Sequence, residues 1–268
     1  MVEADPGPGR VVAVYSGKGG VGRTTLCVNL ASVLATDHHR RVVALDMDLQ
    51  YGDLASMIPS PEEHPSLGDL VAAPVDDLDA DFVATGMIEG PGGFKVIACP
   101  PRPELSELVT AAHVTQILTI LKQRFEIVLV DCGAHLADPT AAVMDMADTV
   151  LLLTSATTPA LKSLRLAMEL LRRLGMAESK MQVVLNHPDD HADFSDEEVA
   201  ANLSHHLAGS LPHDSKTAVV AIDSGEPFVY TRPRSGLAAG VRRLAASIDR
   251  DSGAPADDRR GLMGILTR

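Results

Sequence analysis

The residues best equipped for chemistry lie near the start of the chain, in the run Ser16-Gly17-Lys18-Gly19-Gly20-Val21-Gly22-Arg23-Thr24-Thr25. Glycines let backbone N–H groups converge on an anion, and a helix starting just behind them adds the favourable end of its dipole. The spacing fits the phosphate loop GxxxxGK[ST], with Gly17, Gly22 and Thr24 in place and Arg23 where lysine is expected. The same stretch also satisfies the dinucleotide pattern GxGxxG through Gly17, Gly19 and Gly22, with Asp46 at about the distance of a ribose-binding acid. A plain glycine-rich turn is the third possibility. Three features favour a triphosphate. Thr24 and Thr25 offer hydroxyls suited to Mg²⁺, which a dinucleotide loop does not need. Lys18 and Arg23 bring more positive charge than a pyrophosphate usually requires. A second acid, Asp131, follows the apolar run Ile127–Val130, as a carboxylate on the metal side should. The plain turn accounts for the glycines but not for the cations, hydroxyls and acids together.

These residues need elements to hold them. The loop is preceded by a predicted strand, Val11–Tyr15, and opens a predicted helix, Leu26–Leu34. Further apolar, β-branched runs predict strands at Arg41–Asp46, Phe94–Ala98, Glu126–Val130, Thr149–Thr154, Met181–Asn186 and Leu207–Leu211. Several are continuous rather than alternating, as strands buried on both faces of a parallel sheet should be. Leu161, Leu164, Met168, Leu171 and Leu174 recur at three- and four-residue steps and predict a helix ending before Gly175. Thr110–Leu121 and Ser235–Ile248 carry weaker versions. The alternation predicts an α/β fold of P-loop type: a doubly wound, mostly parallel sheet with helices on both faces. One domain is expected over residues 11–248, after a loose tail at 1–10. A polar linker starting at Asp249 and a short basic amphipathic tail make up 249–268.

Composition narrows the function classes. The chain has 268 residues, a common size for one large α/β domain. Hydrophobic residues make up 46%, enough for a sizeable core and too many for global disorder. No apolar run approaches the roughly 20 residues of a spanning helix. The opening MVEADPGPGR has acids and Pro/Gly where a signal peptide needs basic and then apolar residues. Cys27, Cys99 and Cys132 are far apart with no CxxC pair, so neither a disulfide framework nor a paired-cysteine metal site is expected. A cytoplasmic protein follows. Lys and Arg total 23 against 36 Asp and Glu, a net charge of −13 that repels nucleic acid and anionic membrane. Nucleic acid is therefore not an expected partner. The balance reverses locally, since eight Arg face four Asp between Arg232 and Arg268, so an anionic partner should meet that end.

The string GKGGVGRTT resembles the deviant Walker A loop of the MinD/ParA superfamily, KGGxGK[ST], whose extra signature lysine falls at Lys18. The likeness continues through Asn29, through Asp46-Met47-Asp48 as switch I, and through Asp131 as the Walker B acid. Asn186 and Pro212 stand where the superfamily reads adenine, and the whole likeness runs from Val11 to Ile248. Two strings, LDMDLQYGDLA (Leu45–Ala55) and ACPPRPELSELVT (Ala98–Thr110), resemble the CpaE/TadZ branch, ATPase-like proteins that position Flp/Tad pilus machinery. Members of that branch often carry an N-terminal receiver-like domain, which is not expected where the first strand starts so early.

The resemblance implies ATP and Mg²⁺ as cofactors. Loop residues Gly17 to Thr25 would surround the phosphates, with the amides of Gly19, Gly20, Val21, Gly22, Arg23 and Thr24 donating to them. Thr24 would ligate the metal, Asp46 and Asp131 would hold its waters, and Asp48 would orient the attacking water. A homodimer would form on ATP, with Lys18 reaching the partner's nucleotide. The larger partner would be a pilus or secretion assembly, or a polar or septal one, since some actinobacterial relatives are linked to septum placement. Arg23 departs from the pattern: it keeps the charge, but its planar fork is bulkier than an ammonium. Binding is expected to survive, with slow or absent hydrolysis.

Other residues carry weaker chemistry. His187-Pro188-Asp189-Asp190-His191, with His205-His206 nearby, has no pair spaced for one helix face, so a solvated loop is expected rather than a metal site. Cys132 adjoins Asp131, whose charge raises a thiol's pKa, so an inert thiol is expected. Residues 259–268 put Leu262, Ile265 and Leu266 on one helical face among arginines, resembling the membrane-targeting tail of MinD. Peripheral contact with the inner face of the cell membrane, or a frayed or self-docked end, is expected there.

Overall fold

The computed structural model describes residues 8–187 and 194–250. Among these, eight strands form one sheet: β1 (Arg10–Tyr15), β2 (Val42–Met47), β3 (Ile88–Glu89), β4 (Lys95–Ile97), β5 (Ile127–Cys132), β6 (Thr149–Ser155), β7 (Met181–Asn186) and β8 (Leu207–Leu211). Their order is β3-β4-β2-β5-β1-β6-β7-β8, and every pair is parallel except β3 with β4. All residues of β2, β5 and β6 are buried, which is why their apolar runs do not alternate. Ligand crevices in such sheets lie beyond the carboxyl ends of the strands, where the strand order reverses.

The helices are α1 (Arg23–Thr36), α2 (Leu67–Leu70), α3 (Ala80–Thr85), α4 (Pro103–Ser106), α5 (Ala111–Arg124) and α6 (Asp138–Met146). They continue as α7 (Thr158–Arg173), α8 (Asp196–Leu203), α9 (Ser215–Ser224), α10 (Phe228–Thr231) and α11 (Gly236–Arg250). Their starts follow local chemistry. Thr110 caps α5 by accepting the amide of His113 at 3.2 Å, and Ser195 with Glu198 forms a capping box on α8. Alternate residues of each central strand serve opposite layers. Val11, Ala13, Val128 and Val130 join a core with α5, α6 and α7, while Val12, Val14 and Leu129 join one with α1, α10 and α11. The sheet is thereby sandwiched between two helical layers, as expected.

Several boundaries differ from the sequence reading. The first strand starts at Arg10, inside the expected loose tail, because the Gly9 amide donates to the Lys122 carbonyl at 2.7 Å and Arg10 pairs with Ile127. The last helix reaches Arg250 and takes in Asp249, expected to open the polar linker. There the Asp249 carboxylate accepts from Arg40 Nε at 2.7 Å. The rest of the expected linker and tail, and the stretch 188–193, lie outside the described residues. Among the described residues, no helix is long and apolar enough to cross a membrane.

Candidate functional site

β1 delivers the chain to the glycine loop, and α1 carries it away. Gly20 and Gly22 adopt φ values of +74° and +92°, where side chains with a Cβ are strained. Gly22 is the N-cap of α1, and its carbonyl accepts the Leu26 amide at 2.9 Å. A Cβ added at Gly19 or Gly20 would meet nothing within 4 Å, so the loop borders open space at the positive end of a 14-residue helix. The loop is braced from β7, where Asn186 Nδ2 donates to the Val21 carbonyl at 2.9 Å. Asn186 thereby commits one amide N–H to the loop, leaving a second N–H beside its carbonyl oxygen.

Two acids stand below the loop, in register on neighbouring strands: Asp46 of β2 pairs with Asp131 of β5. Both are buried. Asp46 accepts the amides of Asp48 at 3.1 Å and Leu54 at 3.0 Å, so it holds the segment that follows β2. Gly52 of that segment lies directly against it, since a Cβ there would come within 2.5 Å of both carboxylate oxygens. Asp131 has no hydrogen-bond partner on either oxygen, although the Thr24 hydroxyl and the Arg23 charge nearby offset part of its burial. Burial pushes the Asp131 carboxyl up to about 6, and burial followed by the charge of Asp131 pushes Asp46 well above the usual range. An orphaned buried carboxylate beside a threonine hydroxyl and a second acid is a donor set of hard oxygens, which fits Mg²⁺.

Arg23 sits differently from what a phosphate ligand requires. Its guanidinium donates to the Cys132 carbonyl and pairs with Asp48 Oδ2 at 3.2 Å, facing the segments after β5 and β2. Lys18 is half-buried in the loop, and its amide donates to Ser16 Oγ at 3.2 Å. Asn29 ties α1 to α10, with Oδ1 accepting the Val229 amide at 3.1 Å, a structural role. The Cys132 thiol is buried and pushed up by burial and then by Asp131, in keeping with an inert cysteine. Among the described residues no cluster of His, Cys, Asp and Glu could hold a metal alone. His187 pairs instead with Asp196 at 2.9 Å.

Two cavities lie in this region, and the first borders the loop. One of about 200 Å³ lies between Gly22, Asn186, Pro212, Asp214 and Ile222, so the two expected base-reading residues share a wall. The other, about 590 Å³, lies beside Asp48 between Leu49, Pro103, Glu107, Ala134 and Pro139. Sequence reasoning did not foresee this second cleft, nor the roles of Gly52 and Ser106. The Ser106 hydroxyl donates to the Leu49 carbonyl, and Cys99 Sγ donates to the Gly52 carbonyl at 3.2 Å. The only signal was the pair of distinctive strings, Leu45–Ala55 and Ala98–Thr110, which these contacts join.

Comparison with known proteins agrees with this fold. The ParA family model, described as NUBPL iron-transfer P-loop NTPase, matches residues 8–249. An uncharacterized ATP-binding protein of Methanocaldococcus jannaschii is 24% identical over 237 residues, covering 88% of this chain and 86% of that protein. The crystal structure of a ParA family ATPase from Chlorobium tepidum superposes with a TM-score of 0.82 at 22% identity, covering 88% of this chain and 98% of that one. The septum site-determining protein MinD of Pyrococcus horikoshii, complexed with Mg-ADP, superposes at 0.79 with 22% identity, covering 93% and 99%.

Proposed function

This chain belongs to the ParA family of P-loop NTPases, and from that premise we propose that it is a nucleotide-operated spatial switch. It binds ATP with Mg²⁺, dimerises on it, and in that form positions a larger assembly. The observation that carries the nucleotide reading is Asp131, buried without a partner beside Thr24 and in register with Asp46. The amides of Gly19 to Thr24 hold the phosphates, Thr24 reaches the metal, and Asp46 and Asp131 hold its waters. Bound Mg²⁺ supplies charge neutralisation at the phosphates. Asn186 presents its free carbonyl oxygen to the base, an acceptor that suits adenine's amine. Asp48 orients the attacking water, a positioning role, since carboxylates are weak bases.

Flp/Tad-type pilus or secretion machinery is the assembly we favour. The strings that carry that likeness hold each other through Ser106 and Cys99 and lie along the cleft beside Asp48. Septum placement or chromosome partition by the same switch is the alternative. Genes for Tad pilus components beside the gene for this chain would support the first reading, and Min or partition genes there would support the second. A non-hydrolysing, nucleotide-bound scaffold is the reading from another class, favoured by the engagement of Arg23 with Asp48.

Light scattering after size exclusion tests the switch. ATP·Mg²⁺ should double the mass and ADP·Mg²⁺ should not, while Lys18→Ala should abolish the doubling and keep ADP binding. A mass indifferent to ATP defeats the proposal, and phosphate release under multiple turnover separates the switch from the scaffold. The proposed location is the cytoplasm, with peripheral contact at the inner membrane face through residues 259–268. Co-sedimentation with anionic liposomes should need those residues.

A further inference from the structure

Arg23 is placed to do something a loop lysine does not. We propose that it is a clasp between the two switch segments, closed in the nucleotide-free protein and opened by the γ-phosphate of ATP. This rests on the nucleotide reading above and adds how the site is held off when ATP is absent.

The guanidinium is shared between two acceptors on separate strand ends. One is Asp48 Oδ2, at 3.2 Å on the segment after β2, and the other is the carbonyl of Cys132, the last residue of β5. A single side chain rooted at the first residue of α1 thus joins both segments to the loop. The direct backbone link between them is long, with the Gly133 amide 3.4 Å from the Met47 carbonyl, so the guanidinium is the stronger tie. Only the planar fork of arginine serves two such acceptors in fixed directions; the compact ammonium of lysine lacks that geometry.

The clasp also engages the carboxylate that orients water. Asp48 has its amide fixed to Asp46 and its carboxylate held by Arg23, so in this state it is occupied. A γ-phosphate offers the fork two parallel charge-assisted bonds and more negative charge than one carboxylate. When Arg23 turns to it, Asp48 and the Cys132 carbonyl lose their donor together. ADP ends one phosphate short and leaves the clasp shut. Arg23 is on this view a positioning residue whose state reports the γ-phosphate.

Two measurements on the full chain test this. The first is amide hydrogen exchange without nucleotide. Arg23→Ala should speed exchange about threefold or more both in 47–54 and in 132–137, because the two share one tether. Exchange that changes only in 47–54 overturns the clasp. The second is calorimetric titration with ADP·Mg²⁺ and with AMPPNP·Mg²⁺, in a Lys18→Ala background that excludes dimerisation. Asp48→Ala should tighten AMPPNP by about fivefold, the size of one ion pair, and leave ADP unchanged. In an Arg23→Ala background that gain should vanish. A gain persisting there means simple repulsion between Asp48 and phosphate, and it overturns the trigger, as does an equal gain for ADP. If the unaltered chain binds neither nucleotide, the nucleotide reading fails, and the exchange comparison still decides whether the clasp exists.

Discussion

Asp46 and Asp131 stand side by side in the sheet, paired across β2 and β5, and both are closed off from solvent. They are provided for unequally. Asp46 accepts two backbone amides, whereas Asp131 accepts none. Placing two acids together in the interior costs stability unless a cation completes them.

That cost sets a pH dependence. Burial raises the Asp131 carboxyl from 3.8 to about 6, so between those values the native state holds more protons than the unfolded one. Stability without metal therefore falls as pH rises through that window, by about 3 kcal/mol once Asp131 is ionised. Asp131→Asn cannot ionise and should be more stable than wild type by about that amount at pH 7.5, with the difference fading towards pH 4. Urea unfolding in EDTA at both pH values measures it, and a variant less stable at pH 7.5 would refute the argument. The same variant should lose Mg²⁺-dependent nucleotide binding by more than about tenfold.

Gly52→Ala tests how tightly switch I is seated. The new methyl would lie 2.5 Å from both oxygens of Asp46, which two amides hold in place. A loss of about 1–3 kcal/mol is expected, as for overpacking elsewhere. A wild-type melting temperature would show that the segment yields freely.

Asn186→Ala removes the brace on the Val21 carbonyl and, with it, the acceptor proposed for the base. Losing one hydrogen bond of about 1 kcal/mol and the base contact should weaken ADP about tenfold and erode preference over GDP. Competition with a fluorescent nucleotide reads both, and an undiminished preference would move base recognition elsewhere.

Arg23→Lys should raise turnover. Even when turned to the γ-phosphate, a planar fork bulkier than an ammonium is less well placed for charge developing on the leaving phosphoryl group. Forfeiting about 3 kcal/mol of transition-state stabilisation slows a step roughly 100-fold. Steady-state phosphate release at matched dimer fraction should therefore climb by one to two orders of magnitude on the order expected from that loss, and adding Asp48→Ala should remove the gain. Equal rates for wild type and Arg23→Lys would show that arginine serves as well.

The sequence displayed what depends on strong local patterns. β1, β2, β5 and β6 were legible as unbroken apolar runs, β7 and β8 as shorter apolar segments broken by polar residues, and α7 through the stripe from Leu161 to Leu171. The region between β2 and α5 yielded only β4, expected as Phe94–Ala98. Its α2 and α4 have four residues each, too few for a helical period, and β3 is a two-residue antiparallel edge held by its pairing with β4. The capping box from Ser195 to Glu198 could have revealed α8. Within the site, the glycines, Asp46 and Asp131 followed from type and spacing, whereas Asn186 came only from the family resemblance. The turn of Arg23 towards Asp48 and Cys132 did not, because a rotamer choice among partners 25 and 109 residues away leaves no local trace.

β1 leaves the ribosome well before its sheet partners, β5 and β6, which begin at Ile127 and Thr149. Before residue 110 the pairings open to the nascent chain are β2 with β4 and β3 with β4. The glycine loop therefore hangs from an unsupported apolar strand while everything from Tyr15 to Ile127 is made, on the order of ten seconds at ordinary elongation rates. The phosphate cradle is encoded ahead of the strand bearing Asp131 and the one beyond it, and assembles only after both have emerged. Fragments ending before β5 should sediment with chaperones, and no nucleotide concentration should rescue them.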